Sequence, residues 1–394
     1  MSDTQPSTGL RRVLTFWPLV LYGLGVIVGA GIYVAIGLVI DRAGDAAPLS
    51  FLLAGVAACF TGLCYAELSG RFPVASGAVV FVTEGFGSAA LARLTGAAVT
   101  LAVVVSAASI ARGAVDYLSV LLPLPLPLLT VLLISGFTAI ALRGVGASVG
   151  LAVAMSVIEI AGLLAATIAG LHVAPDFQVG SLLPQDAAAW RGTAAGAFIA
   201  FFAFTGFETL ANLAEEVKDP GRTVPRGIIG AVAASMLLYL AVSTAVVLGD
   251  SAGNRPLLGL FKGAGVPLFA AIGSIAVANG VLVQIVTLSR LFYGMACNGH
   301  LPAALARIAP GTQTPDRATL VAGGLVLATA LLVPFEHLLV LTNLLTLGVF
   351  TLVDLALWRL QWRDPARAGF HAPGWVPPLA ALLSIALILA ELAP

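Results

Sequence analysis

Two long apolar runs of this chain are interrupted by residues that break a helix. The first interruption is the glycine-rich stretch 25–33, and the second is the stretch 204–208 near the middle of the chain. Backbone N–H and C=O groups inside a bilayer must find partners within the protein, so a helix is broken there only where it lines a cavity or packs against protein. Both interruptions are therefore predicted to face the protein interior.

The interrupted runs belong to a chain that is apolar along most of its length. Of its 394 residues, 59% are hydrophobic and 10% are charged, and the mean hydropathy is +1.04. Several runs reach the ~20 residues that a helix needs to cross a bilayer. The formal net charge is zero and the chain has two lysines, Lys218 and Lys262, so it offers no basic patch for nucleic acid. We expect an all-α polytopic protein embedded in a lipid bilayer, without a nucleic-acid partner.

Hydropathy divides the chain into about eleven candidate transmembrane spans. They lie near residues 17–40, 49–69, 89–119, 126–142, 147–171, 191–213, 224–249, 266–296, 318–334, 336–358 and 374–392. Residues 1–16 are predicted to form a polar cytoplasmic tail, and residues 70–88 a linker that carries a short helix at the membrane interface.

The basic residues predict the orientation. With the N-terminus in the cytoplasm, fourteen of the 19 Lys and Arg residues fall on the inner side. The five on the outer side are Arg42, Arg112, Arg191, Arg255 and Lys262. Because cytoplasmic loops carry an excess of Lys and Arg, this asymmetry favours a cytoplasmic N-terminus. An odd number of spans then places the C-terminus outside.

The interrupted spans are the first and the sixth, so they are predicted to cross the membrane in opposite directions. This is the order of two five-span halves with inverted topology, residues 17–171 and 191–358, followed by an additional span at 374–392. Broken spans in corresponding places of two halves point to the binding site of a secondary transporter.

The glycines of the first break suit an anionic group. Unwinding at Gly29, Ala30 and Gly31 frees backbone N–H groups and aims the positive end of the next half-helix into the gap. A substrate carboxylate would fit there. Gly25 and Gly29 also form a small-xxx-small pair, which is typical of close helix packing. The presence of a second break favours the binding interpretation.

Four stretches of the chain resemble the amino acid–polyamine–organocation (APC) transporters. They are the glycine-rich first span, residues 66–77 after the second span, residues 201–226 with the sequence FFAFTGFE at their start, and residues 290–302 after the eighth span. The resemblance implies a LeuT-like five-plus-five inverted repeat and a bacterial amino acid permease of the inner membrane. Many members have twelve spans, so the missing twelfth leaves both a monomer and a homodimer open.

The resemblance also implies roles for positions at the two breaks. The substrate carboxylate would meet the N–H groups of Ala30 and Gly31. The substrate amine would meet the carbonyl groups of Ile27, Phe202 and Thr205.

Aromatic and polar side chains complete the predicted site. Phe202 and Phe204 are candidates for a gate over the ligand, although aromatic side chains on apolar helices more often face lipid or core. Gln284 falls at a substrate-facing position of the family, and Ser106 is expected to line the pocket. An interhelical hydrogen bond is the plainer explanation of Gln284.

Two carboxylates inside apolar spans are candidates for coupling transport to a proton. A carboxylate near the bilayer midplane costs about 2.5–3.5 kcal/mol, so it should face a cavity or a partner. Glu159 stands in the fifth span, near a position where some relatives have a lysine. It carries the coupling proton, ligates a cation together with Thr287, or pairs structurally. Glu208, just past the second break, either senses protons or ties the helix. A proton is favoured over sodium, and no cofactor or bound metal is expected.

Arg112 and Asp116 are spaced i, i+4 near the outer end of the third span. This spacing predicts that they neutralise each other at the membrane interface.

Other classes of function have less support. A hydrolase would need a Ser–His, paired-Asp or metal cluster, and the chain has no HExxH or GxSxG pattern. Neither lysine completes a GxxxxGK[ST] phosphate loop. The protein is therefore not expected to be an enzyme. The alternatives that stay open are a transporter of polyamines or other organic amines, and a nutrient receptor that binds its ligand without flux.

Overall fold

The computed structural model describes residues 15–28, 31–73, 77–143, 145–173, 182–212, 217–251, 255–297, 299, 301–364 and 369–393. Its α-helices are α1 (Phe16–Val28), α2 (Gly31–Ala43), α3 (Ala47–Arg71), α4 (Gly77–Phe86), α5 (Ala89–Leu121), α6 (Leu126–Leu142), α7 (Val145–Val173), α8 (Ala187–Phe201), α9 (Glu208–Asn212), α10 (Pro220–Leu248), α11 (Pro256–Gly259), α12 (Gly265–Cys297), α13 (Asp316–Leu332), α14 (Phe335–Arg363) and α15 (Val376–Leu392).

Each predicted span coincides with one helix or with a pair of helices, and the linker after the second span carries the short helix α4. In the part of the chain that the structure describes, seven helical stretches are long and apolar enough to cross a membrane. The helices α1, α6 and α15 are apolar but shorter. The predicted all-helical membrane architecture is confirmed, whereas the division into two inverted halves stays a prediction.

Both predicted interruptions are breaks in a helix. α1 ends at Val28 and α2 begins at Gly31. In the sixth span, α8 passes into a 3₁₀ turn at Phe202–Phe204 and then into extended backbone at Thr205, before α9 begins. Gly206 has a φ of +120°, a conformation that residues with a Cβ rarely adopt. Glycine is therefore needed where the chain turns from the 3₁₀ segment into α9.

The two broken segments lie against each other and run antiparallel. From one end of the pair to the other, close approaches join Gly23 to Leu210, Val26 to Gly206, Gly31 to Ala203 and Arg42 to Gly192. The breaks thus fall at the same level, as opposite crossing directions of the first and sixth spans require.

Three further pairs of helices share this antiparallel arrangement. They are α3 with α10, α5 with α12, and α6 with α13. The approaches that fix their directions are Gly55 to Met236 and Gly70 to Gly221 in the first pair, Ser106 to Gln284 and Tyr117 to Gly273 in the second, and Thr138 to Gly323 and Leu142 to Thr314 in the third. In span numbering, each pair joins a span of the first half to the span five places later.

The predicted ion pair between Arg112 and Asp116 is wrong. Arg255, just before α11, donates to the Asp116 carboxylate from Nε at 2.8 Å and from Nη2 at 2.7 Å. Arg112 instead donates to the carbonyl of Ala330 at 3.2 Å. Both side chains of the observed pair are more than a third exposed, so the pair contributes less than about 1 kcal/mol to stability.

Candidate functional site

A single hydroxyl group joins the two helix breaks. The fully buried Tyr239 of α10 places its hydroxyl oxygen 2.7 Å from the carbonyl oxygen of Ile27 and 2.9 Å from that of Ala203. A phenol has one proton, so it donates to one of these carbonyls at a time. The two carbonyl groups therefore keep room to accept further donors, such as an ammonium group.

At the first break, Gly31 touches the second break directly. A Cβ atom at Gly31 would lie 2.5 Å from the Cα of Ala203 and 2.8 Å from its carbonyl oxygen, so only glycine fits without moving backbone. The N–H groups of the first turn of α2 have no partner within the helix and face the break. Gly29 and Ala30, which the sequence assigns to carboxylate binding, lie outside the described residues.

At the second break, short-range hydrogen bonds hold the unwound chain. The Thr205 hydroxyl donates to the Phe202 carbonyl at 2.8 Å, and Glu208 Oε2 accepts from the Gly206 N–H at 2.8 Å. The Thr209 hydroxyl donates to the Gly206 carbonyl. Glu208 thus acts as a local tie, one of the two roles that the sequence left open, while a role in proton coupling stays a prediction.

Glu159 lies on α7, level with the first break. The Tyr33 hydroxyl of α2 donates to the Glu159 backbone carbonyl at 3.0 Å, and one turn earlier Ser156 packs against Gly25 of α1. Ser156 also accepts from Asn279 Nδ2 at 3.1 Å. These contacts place the side chain of Glu159 between α7, α12 and the break.

The Glu159 carboxyl group is fully buried and lies near the hydroxyls of Tyr33 and Tyr239. Asn279 is the amide that faces it, yet within the described residues neither carboxyl oxygen has a partner with hydrogen-bonding geometry. An ionised carboxylate without a cation is costly to bury, so the neutral acid fits this site better. A carboxyl group whose surroundings favour the neutral, protonated form is suited to carry a proton.

The structure brings Gln284 and Ser106 together. Gln284 Nε2 of α12 donates to Ser106 Oγ of α5 at 3.3 Å, which is the interhelical hydrogen bond that the sequence gave as the plainer explanation. Both helices also pack against α2, the second half of the broken first span. Their role as ligand contacts stays a prediction.

The two aromatic gate candidates are both buried. Phe202 begins the 3₁₀ turn of the second break and is 2% exposed. Phe204 packs edge-on against Tyr239, with ring centroids 5.0 Å apart. Phe204 therefore supports the tyrosine that joins the breaks. A gating role for either ring stays a prediction.

Sequence reasoning misses Tyr239 and Ala203 as members of the site. The available signal is a tyrosine in the middle of an apolar span, because a buried phenol usually needs a hydrogen-bond partner. The partners themselves are backbone carbonyls, which no side-chain pattern reveals.

We expect Tyr239→Phe to lower transport efficiency about tenfold. Loss of the hydroxyl leaves buried carbonyl groups without their donor, and an unsatisfied buried polar group costs about 1–3 kcal/mol. A cost of ~1.4 kcal/mol corresponds to a tenfold change. The measurement is kcat/KM for uptake by reconstituted protein. Ser243→Ala is the control, because among the described residues the Ser243 hydroxyl bonds to two carbonyls, both of its own helix. Equal efficiency of Tyr239→Phe and wild type would show that the hydroxyl does not organise the breaks.

Comparison with known proteins matches nearly the whole chain to one family. The family model described as amino acid permease covers residues 14–393. The methylthioribose transporter of Bacillus subtilis (strain 168) is 31% identical over 95% of this chain and 86% of its own length. The branched-chain amino acid permease BcaP of the same strain is 28% identical over 99% of this chain and 90% of its own. Human cationic amino acid transporter 4 is 31% identical over 96% of this chain, which spans 64% of that protein.

Proposed function

The chain belongs to the amino acid permease family, and on this premise we propose that it is a secondary active transporter that carries amino acids across a bacterial inner membrane, coupled to protons. The observation that carries the proposal is the meeting of the two helix breaks at Gly31 and Ala203, joined by the Tyr239 hydroxyl. Two breaks at one level supply both free N–H groups and free carbonyl oxygens, which an amino acid needs at its two ends.

The backbone of the breaks would recognise the substrate. The carboxylate binds at the N-terminus of α2, where Gly31 and the preceding Ala30 offer N–H groups and the helix dipole is positive. The ammonium group binds carbonyls of Ile27, Phe202 and Thr205. The Phe202 carbonyl already accepts from Thr205 but has a second lone pair.

Alternating access would follow from a LeuT-like five-plus-five inverted repeat. Support comes from the four antiparallel pairs, each of which joins a segment to the one five spans later, as a two-fold axis in the membrane plane would produce. In such transporters one bundle rocks around a fixed site at the repeat interface. Here the bundle would contain α1 with α2, α3, α8 with α9, and α10.

Glu159 would be the coupling residue. It takes up a proton from one side of the membrane and releases it on the other, since its buried carboxyl group lies beside the first break and lacks a cation partner in the described chain. The neutral acid adds no fixed charge to the site, which favours amino acids with neutral side chains. Among the relatives, the name of BcaP gives branched-chain amino acids as its substrates.

The test is uptake of a radiolabelled amino acid mixture into proteoliposomes, with and without an inward proton gradient. Gradient-driven accumulation would support the proposal. Uptake that occurs only into proteoliposomes preloaded with amino acid would show that the protein is an exchanger and is not coupled to protons. Absence of both would overturn it in favour of an organic-amine substrate or of a receptor that binds without flux.

A further inference from the structure

A second isolated carboxyl group lies far from Glu159, on α14. Asp354 is fully buried, and its Oδ2 accepts one hydrogen bond, from the Thr61 hydroxyl of α3 at 3.1 Å. In the described part of the chain Oδ1 has no partner, and none of the ion pairs includes Asp354. As at Glu159, the cost of burying an unpaired charge favours the neutral acid.

The helices that hold Asp354 run parallel to each other. Thr61, Glu67 and Arg71 of α3 contact, in the same order, Asp354, Gln361 and the Asp364 carbonyl at the end of α14. Asp354 therefore lies ten residues, or about 15 Å of helix, from the end where both helices stop. The predicted orientation places that end in the cytoplasm.

Glu67, the carboxylate at that end of the helices, has several hydrogen-bond partners, in contrast to Asp354. Glu67 accepts from Arg71 at 2.5 Å, from Gln361 at 2.8 Å and from the Ala372 N–H at 2.8 Å. His371 Nδ1 lies 3.4 Å from Glu67 and is 39% exposed. The two helix ends are thus closed by a neutralised cluster that reaches solvent through His371.

Tyr65 of α3 lies between α14 and the second break. Its ring packs edge-on against Phe207 and Phe350, and its buried hydroxyl has no partner among the described residues. Glu208, which follows Phe207, accepts a hydrogen bond from the N–H of Gly206 in the break.

The ionisable groups that face Asp354 come from α3. They are the Cys64 thiol and Tyr65, with Glu208 beyond Tyr65 and Glu67 close to Cys64. Four other helices pack on α14, namely α4, α5, α8 and α15. Within the described chain they place no ionisable side chain against Asp354.

We propose that Asp354 is a second proton-holding residue, which exchanges its proton with the cytoplasm during the transport cycle. The inference rests on proton coupling as proposed above. The O–H bond of the Asp354 acid breaks and its proton goes to water that enters when the ends of α3 and α14 separate. Before the ends close, the carboxylate regains a proton from the same water, to an extent set by the cytoplasmic pH. Acids within transmembrane segments that face the bundle interior are the usual carriers of intramembrane protons.

The experiment uses full-length protein in proteoliposomes of one orientation, with the pH on each side varied separately. In Asp354→Asn, exchange and the dependence on outer pH should persist. The dependence of uptake on cytoplasmic-side pH should fall to less than about twofold over a range in which wild type changes about tenfold. Asp354→Glu, which still titrates, should restore that dependence.

Thr61→Val is the matched control, because it removes the hydrogen bond but keeps the acid. It should retain the cytoplasmic-pH dependence with its midpoint moved by about 0.5–1 pH unit, the worth of one hydrogen bond. If Asp354→Asn keeps the wild-type profile, or if both variants lose exchange equally, Asp354 is a structural tie and the inference fails. If wild type shows no proton-driven accumulation, it is the proposed coupling that fails, whatever Asp354 does.

Discussion

Gly31→Ala is expected to lower uptake by about 100-fold, the effect of moving reacting or binding groups by ~1 Å. The new Cβ would lie 2.5 Å from the Ala203 Cα, and backbone on both sides of the contact must separate to admit it. Separation moves the Ile27 and Ala203 carbonyls away from the Tyr239 hydroxyl and opens the site at its centre. Uptake by reconstituted protein, normalised to the folded fraction from gel filtration, measures the effect.

The control for this substitution is Gly324→Ala on α13. A Cβ there meets nothing within 4 Å, so the same chemical change is made without a clash. Its uptake should equal that of wild type. If Gly31→Ala transports as well as Gly324→Ala does, the close contact between the breaks is not part of the binding site.

Glu159→Gln is expected to abolish accumulation driven by a proton gradient while leaving amino acid exchange in place. Glutamine has nearly the shape of the neutral acid, and the bond from Tyr33 goes to the backbone carbonyl, which the change leaves intact. The substitution therefore removes the proton site and little else. The measurement compares gradient-driven uptake with counterflow at equal pH, and flux should lose its dependence on pH.

Glu84→Gln on α4 is the matched control, since Glu84 is an exposed carboxylate. It should leave both modes of transport unchanged. If accumulation in Glu159→Gln still depends on pH, Glu159 is not part of the coupling mechanism and its role is structural.

The helices and their two breaks can be predicted from the sequence because the bilayer constrains them so strongly. A crossing helix needs ~20 apolar residues, which makes hydropathy a direct guide to α3, α5 and α10. Glycine at positions 29, 31 and 206 marks where the helix stops, since apolar residues alone would continue it. The opposite direction of the two broken spans follows from counting the spans between them.

The contacts that organise the site cannot be predicted in this way. The Tyr239 hydroxyl reaches a carbonyl 212 residues away, and Arg255 reaches Asp116 across 139 residues. Local spacing favours Arg112 for that carboxylate. The prediction is wrong because the guanidinium of Arg255, in a loop, donates two hydrogen bonds to the carboxylate at better geometry. Contacts of this kind depend on how helices are brought together, which hydropathy does not encode.

The central claim is that the two breaks form one site that holds both ends of an amino acid. The most direct test is competition: uptake of a transported amino acid is inhibited by the unlabelled compound, by its methyl ester, and by the acid that lacks the amine. We expect each modified compound to inhibit at least about tenfold more weakly, because it leaves either the N–H groups of α2 or the carbonyls of the breaks unpaired. Equal inhibition by the ester would contradict carboxylate capture at Gly31, and equal inhibition by the deaminated acid would contradict amine capture by the carbonyls.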